Sequence, residues 1–305
     1  MITHAYARTR EKKHFVLFKL SFLWYDISKR KRGKKMAKLS HEEKTALHQR
    51  IATHYENKDT QTEESRSMVV VKSNSLIQQT RYELNLQEQR LLLYLISKIK
   101  PDDKALEEIE IPIKEFCKVC GIDYINDGRA YQYTRHTLKT LADKSNWIEF
   151  EENVETLVRW IDTAELNKTK GKIKVGLSKT LMPYLLDLKK QYTSYPLLNI
   201  LPMKSKYSIR LYELLKSYAN LGSKKFEVRE LKKKLNAENY KNITNFKQKV
   251  LYPALKDIES FADIKVSVIY IKSKNKITHI EFIITLIDDI NEKVVKWENI
   301  EKELG

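Results

Sequence analysis

The sequence predicts an α+β chain of two tandem winged helix-turn-helix domains related by internal duplication. Three observations carry that expectation. Between residues 86 and 177 three helical stretches precede a run of strand-like segments, and the same order returns between residues 208 and 285. In addition, Leu138-Lys-Thr-Leu-Ala-Asp-Lys-Ser-Asn-Trp-Ile and Leu255-Lys-Asp-Ile-Glu-Ser-Phe-Ala-Asp-Ile align 117 residues apart, slipping by one at the end. Three helices and a β-ribbon is the order of a winged helix, whose third helix enters the major groove while the ribbon touches the flanking backbone. Two copies of one module is the economical account of the recurrence.

The expected divisions are a basic extension at 1–35, a short helix and linker at 36–67, a first winged-helix domain at 68–195, a second at 196–287, and an amphipathic tail at 288–305. With 305 residues, 42% hydrophobic and 32% charged, the chain can fill two domains of ~100 to 150 residues each. The formal charge of +17 calls for a polyanionic partner, although residues 1–35 alone hold eleven Lys/Arg against Glu11 and Asp26. The remaining +8 still favours nucleic acid or an anionic surface. Cys117 and Cys120 provide no disulfide framework and fit a reducing cytoplasm. No second ligand pair follows their Cys-x-x-Cys at finger spacing, so both read as small core residues rather than half of a zinc site.

Phe15 to Tyr25 is an apolar run broken by Lys19. It lacks a small-residue cleavage site and falls short of the ~20 residues that span a bilayer. The basic run from Lys29 to Lys35 leads straight into Met36, which reads as the functional start. Ser40-His-Glu-Glu43 has capping-box form, with Leu47, Ile51 and Tyr55 behind it at helical spacing. Glu56 to Ser67 is polar throughout and reads as a linker.

From Met68 the texture changes to a strand, Val69-Val-Val-Lys-Ser. A first helix runs from Leu86 to Ser97 with Leu84, Leu91, Leu92, Leu95 and Ile99 on its buried side. A second runs through Cys120 to Gly121, and a third covers residues 129 to 143. On that third helix Gln132, Tyr133, His136 and Lys139 share the face opposite Tyr131, Leu138 and Leu141. Trp147 to Phe150, Glu155 to Ile161 and Lys172 to Leu177 then alternate as strands, and Leu181 to Tyr195 is a connection of part helix and part bend. In the second module Ser208 to Tyr218 is a helix with Ile209, Tyr212, Leu215 and Ala219 inward. Phe226 to Leu235 is its short second helix, and the hairpin from Asp263 to Thr285 has its tip at Lys272-Ser-Lys-Asn-Lys276.

The third helix of the second module, Asn242 to Ser260, organises the rest. Ile243, Phe246, Val250, Leu251, Ala254, Leu255 and Ile258 form one stripe at 100° per residue, and Asn245, Gln248, Lys249, Tyr252 and Lys256 lie opposite. Polar outer faces are the default for amphipathic helices. Here, however, amides, lysines and a tyrosine occur without a carboxylate until Asp257, a face that can donate to phosphates and base edges. The recurrence of such a face on the earlier helix favours DNA. Lys272, Lys274 and Lys276 add charge at the wing. Pro253 removes a donor and crowds the preceding turn, so a kink or restart is expected near Tyr252.

Enzyme sites fail on their residues. Gly171-Lys-Ile-Lys-Val-Gly176-Leu177-Ser178 has phosphate-loop spacing, but Leu177 stands where the phosphate-reaching lysine belongs, and the segment looks like strand. The seven histidines contain no His-x-His pair for a strand-nicking metal site, and His136 lacks ligand partners. Glu107, Glu108, Glu151 and Glu152 fall in runs where solvation is the ordinary explanation. No catalytic residue, cofactor or metal is expected.

Leu188-Lys-Lys-Gln-Tyr-Thr-Ser-Tyr, then Ser205-Lys-Tyr-Ser-Ile-Arg-Leu-Tyr-Glu-Leu-Leu-Lys-Ser-Tyr, then Phe246 through Val250-Leu-Tyr-Pro-Ala-Leu-Lys-Asp-Ile, together resemble the iteron-binding plasmid replication initiators. The likeness covers about Val69 to Leu286. It implies monomers that bind repeated origin sequences, open the DNA and recruit the host replication initiator and helicase. It also implies dimers through the first domain that often repress their own gene, and a second domain with the stronger base contacts. Two third helices in successive major grooves, ~34 Å apart, would cover about two turns of duplex per chain, a direct or weakly related pair of half-sites bound by a monomer. A tandem winged-helix transcription regulator without a replication role shares each of these physical features.

Overall fold

The computed structural model describes residues 68–304 except 82, 101–102, 123–127 and 152–153. The basic extension, the Met36 start and the helix and linker expected at 36–67 lie outside the described residues.

The first sheet explains how the first domain closes. β1 (Val69–Ser73) runs antiparallel to β7 (Tyr192–Pro196), with Val70 opposite Tyr195. α1 (Asn74–Gln79) follows, capped by the Ser73 hydroxyl, which accepts from the Leu76 N–H. α2 (Leu86–Ser97) opens with a reciprocal capping box. The Glu88 N–H donates to the Asn85 side chain at 2.9 Å, and the Asn85 N–H donates to the Glu88 carboxylate at 2.7 Å. Leu91 to Ile96 are all buried, so α2 is a central rather than a surface helix. β2 (Ile109–Pro112), α3 (Ile113–Cys120) and α4 (Arg129–Ala142) complete the three-helix set, α3 ending on Gly121 at φ +67°.

Beyond α4 the chain makes two hairpins. β3 (Ser145–Glu151) pairs only with β4 (Val154–Arg159). Buried Trp160 then separates β4 from β5 (Ile161–Asn167), which pairs with β6 (Lys172–Leu177), and β6 in turn pairs with β2. The single strand expected from Glu155 to Ile161 is therefore two strands in different sheets. Neither side of Trp160 carries a turn signal, and the break comes from burying the indole. Gly176 sits where a Cβ would fall 2.5 Å from the Thr163 hydroxyl, which accounts for the glycine in a strand with phosphate-loop spacing. After α5 (Met182–Leu185) the connection is more ordered than expected, because Tyr192 to Pro196 is β7.

The second domain repeats the plan. α6 (Lys206–Lys216) leads to β8 (Ser223–Glu227) and α7 (Val228–Lys234). α8 (Ile243–Phe246), a π-turn (Lys247–Leu251) and α9 (Tyr252–Phe261) form one continuous helical path, followed by β9 (Ile264–Ser273) and β10 (Lys276–Leu286). The helix expected from Phe226 begins two residues later, since Phe226 is a strand residue paired with Ile280, its side chain buried between exposed Lys225 and Glu227. The sheets have orders β2-β6-β5 and β8-β10-β9, so in each the first strand pairs with the last and the last with the middle one. The duplication is thus visible in the topology. It also corrects the alignment beyond the third helices, because the counterpart of β9 in the first sheet is β5, whereas Trp147-Ile148 belongs to an inserted hairpin. α10 (Ile290–Leu304) closes the chain against α9, with Ile300 buried and the Asn299 amide donating to the Ser260 carbonyl at 3.4 Å.

α6 joins the halves, and its residues from Ser208 to Leu215 are buried on every side. Glu213 pairs with Lys72 of β1, both side chains 0% exposed, and also accepts from the Tyr195 hydroxyl of β7. Arg210 donates to the carbonyls of Ile77 and Thr80 at 2.5 and 2.6 Å, and Lys234 donates to the Gln78 carbonyl at 2.7 Å. These are the end carbonyls of α1, which a helix C-terminus leaves without intrahelical donors and which attract cations. β1 and α1 are thus held by α6 and α7.

Glu213→Gln, which removes the carboxylate facing buried Lys72, should lower unfolding free energy by about 3–5 kcal/mol in urea denaturation. Lys72→Met combined with Glu213→Leu should recover most of that loss. An equal loss in the double variant would assign the effect to packing instead of charge.

Candidate nucleic-acid interface

The third helix of the first domain presents the predicted face. Ala130, Thr134, Thr137, Leu138 and Leu141 are buried, and Gln132, Tyr133, His136 and Lys139 are exposed on the opposite side. Arg135 is exposed as well, a cation the sequence reading passed over. Lys139 is met by Asp143 at 2.5 Å one turn on, so part of its charge is neutralised.

In the second domain Phe246, Val250, Leu251, Ala254 and Ile258 are buried, with Ile243 and Leu255 partly so, and Asn245, Gln248, Lys249, Tyr252 and Lys256 are all exposed. Asn242 caps the helix, its side chain accepting from the Thr244 N–H at 2.7 Å. Near Pro253, where a kink or restart is expected, the helix passes through a widened turn and α geometry resumes at Tyr252. In an α-helix residue 253 would donate to the Lys249 carbonyl. Proline has no N–H and its ring crowds that carbonyl. The helix responds by passing through Lys247–Leu251 in π geometry, with the Tyr252 N–H donating to the Lys247 carbonyl. The nearest carboxylate, Asp257, accepts from the Lys204 main-chain N–H at 2.9 Å and so is occupied by the linker.

The wings supply most of the rest. Lys274 and Asn275 turn the β9–β10 hairpin with φ of +46° and +64°, the paired left-handed conformation of a two-residue hairpin loop, and Lys272, Lys274 and Lys276 are exposed around it. The corresponding β5–β6 turn, Lys168 to Gly171, also exposes Lys168 and Lys170. Its signal, a polar Lys-Thr-Lys-Gly between strand-like runs, was legible but went unused. Lys247 and Tyr270 were missed for a better reason. Lys247 lies 4.1 Å from the Tyr270 ring centroid and 5.6 Å from that of Tyr252, and only the meeting of helix and wing creates that contact. Burial first, then hydrogen-bonded Tyr252, pushes the Tyr270 phenol up to about 12, so its O–H stays protonated at neutral pH.

Cys117 and Cys120 are buried in α3, and burial pushes both thiols above their ordinary value. Among the described residues no group of three or more His, Cys, Asp or Glu side chains could hold a metal ion, and no helix is long and apolar enough to cross a membrane.

Comparison with known proteins gives consistent results. Residues 69–216 match the family model described as the first winged helix of initiator replication proteins, and residues 227–284 match that of their second winged helix. A replication initiation protein of Escherichia coli is 27% identical over 214 residues, a match that spans 66% of this chain and 65% of that protein. The crystal structure of the Pi initiator protein in complex with iteron DNA superimposes with a TM-score of 0.58 at 19% identity, over 73% of this chain and 99% of that one.

Two outcomes follow from this geometry. Lys274→Gly relieves a lysine held at positive φ, so the hairpin should be as stable or up to ~1 kcal/mol more stable. The slope of log K against log salt should meanwhile fall by about one if the tip meets a phosphate. Cys120, Tyr207 and Tyr270 have folded pKa values raised above the ordinary 9.0 for the thiol and 10.0 for the phenols. Their contribution to stability is complete below those values and is lost as pH rises beyond them, so thermal midpoints should decline on the alkaline side of about pH 9.

Proposed function

Because the chain belongs to the initiator replication protein family, we propose that it starts plasmid replication by binding repeated duplex sequences, the iterons of an origin, helps to open them, and represses its own gene. The observation that carries this reading is the repeated topology, with amide, basic and aromatic side chains outward on both third helices. We divide the work between units at 68–195 and 196–287. Gln132, Asn245 and Gln248 read adenine edges. Tyr133, His136, Lys139, Lys249, Tyr252 and Lys256 face the same grooves, and Lys272, Lys274 and Lys276 contact the adjoining backbone. Chemistry on DNA is left to host enzymes, so the protein acts as a binding factor without a catalytic site or cofactor, in the bacterial cytoplasm with its plasmid. A host initiator and helicase are its further partners.

A second copy binds through the first domain, and the β3–β4 hairpin is the surface suited to it. Trp147 and Leu157 stand opposite one another on its outer face, 62% and 48% exposed, with Val154 50% exposed nearby. Trp147→Glu should shift the protein to monomer in sedimentation.

Footprinting on DNA upstream of its gene should protect tandem repeats of about two turns each. Protection of only a single palindrome, by a dimer, would overturn the reading. A plasmid that carries the repeats but lacks the gene should replicate when the protein is supplied in trans, which a mere transcription regulator would not achieve. Replacing Lys249 or Lys256 should weaken all DNA alike and lower the salt slope by about one each. Replacing Asn245 or Gln248 should cost ~1–3 kcal/mol at particular base pairs.

A further inference from the structure

In each domain a lysine and a tyrosine reach across the crevice between third helix and wing. In the second, Lys247 leaves the helical path and meets the ring of Tyr270 on wing strand β9 at 4.1 Å, with Tyr252 at 5.6 Å. In the first the roles are exchanged. Lys168 from the β5–β6 wing turn lies 5.0 Å from the ring of Tyr131 on α4. The pairing therefore recurs where the individual residues do not.

Among the described residues neither Lys168 nor Lys247 takes part in an ion pair, whereas Lys139 is met by Asp143. That difference matters. A carboxylate cancels the charge it holds, but a ring face holds an ammonium through its quadrupole and leaves the charge available. On B-form duplex one sugar-phosphate strand separates the major groove, which the helix enters, from the neighbouring minor groove beneath the wing. A duplex seated in this way places that strand in the crevice.

We propose that Lys247 with Tyr270 and Tyr252, and Lys168 with Tyr131, are two phosphate seats that fix the register of each winged helix on duplex DNA. Each ammonium supplies the charge, held in place by its ring before DNA arrives. Such contacts position the protein and carry no sequence information of their own.

The proposal rests on the reading of the chain as a duplex-binding protein, and the test separates the two. The full chain and its Lys247→Met, Lys168→Met and Tyr270→Leu variants are titrated, between 50 and 200 mM salt (roughly the range over which counterion release dominates), with a repeat-bearing duplex and a random duplex of equal length. Each Lys→Met variant should lose the same factor on both duplexes, and its slope of log K against log salt should fall by about one. Tyr270→Leu, which keeps every charge, should weaken binding on its own but add nothing to Lys247→Met. Unchanged slopes, with the loss appearing only as a lower unfolding midpoint, would make the pairs structural staples and overturn the proposal. Absence of salt-dependent duplex binding by the unaltered chain would instead overturn the duplex-binding reading beneath it.

Discussion

The buried pair of Lys72 and Glu213 is the constraint on which the arrangement of the molecule depends. Two charges withdrawn from water are tolerated only with good geometry and further hydrogen bonds, and the Tyr195 hydroxyl on Glu213 provides one of these. Lys72 and Tyr195 belong to the paired strands β1 and β7, and Glu213 to α6. With Arg210 of α6 and Lys234 of α7 donating to the end carbonyls of α1, these elements share polar contacts that sliding would strand.

The two modules keep their plan and differ in detail. Both sheets join first strand to last and last to middle. The first domain adds the β3–β4 hairpin, whose outer face carries Trp147 and Leu157 into solvent, and so gains a surface the second lacks. The second changes its third helix instead. Pro253 forbids the α-type bond at that level, and the π-turn that results lets the buried stripe from Phe246 to Ile258 continue without a break. Charge is handled with similar economy. Asp257 is occupied by the Lys204 N–H, and Lys168 and Lys247 rest on rings, so the outer faces of the third helices carry little compensating negative charge.

Periodicity was enough to read what depends on local sequence. The alternation of apolar positions at helical spacing placed α2, α4, α6 and the Asn242 helix, the five outward residues of that helix, and the core positions of Cys117 and Cys120. Turn chemistry located the Lys274-Asn275 hairpin. These features are legible because burial on one face imposes a period that each segment must obey by itself. Where two periods compete over a few residues the reading slipped, as at Phe226, whose strand exists only because β10 lies beside it.

By itself, then, the sequence determined a duplicated winged-helix chain with basic, amide-bearing outer faces, since patterning and composition act within each element. Only the tertiary structure decided that Trp160 divides two sheets, that β5 and not β3 answers β9, and that Lys72 and Glu213 join β1 to α6. The same holds for the lysines paired with tyrosines across the helix–wing crevices. Each of these joins residues far apart in the chain, and no local pattern encodes which distant group will complete a contact.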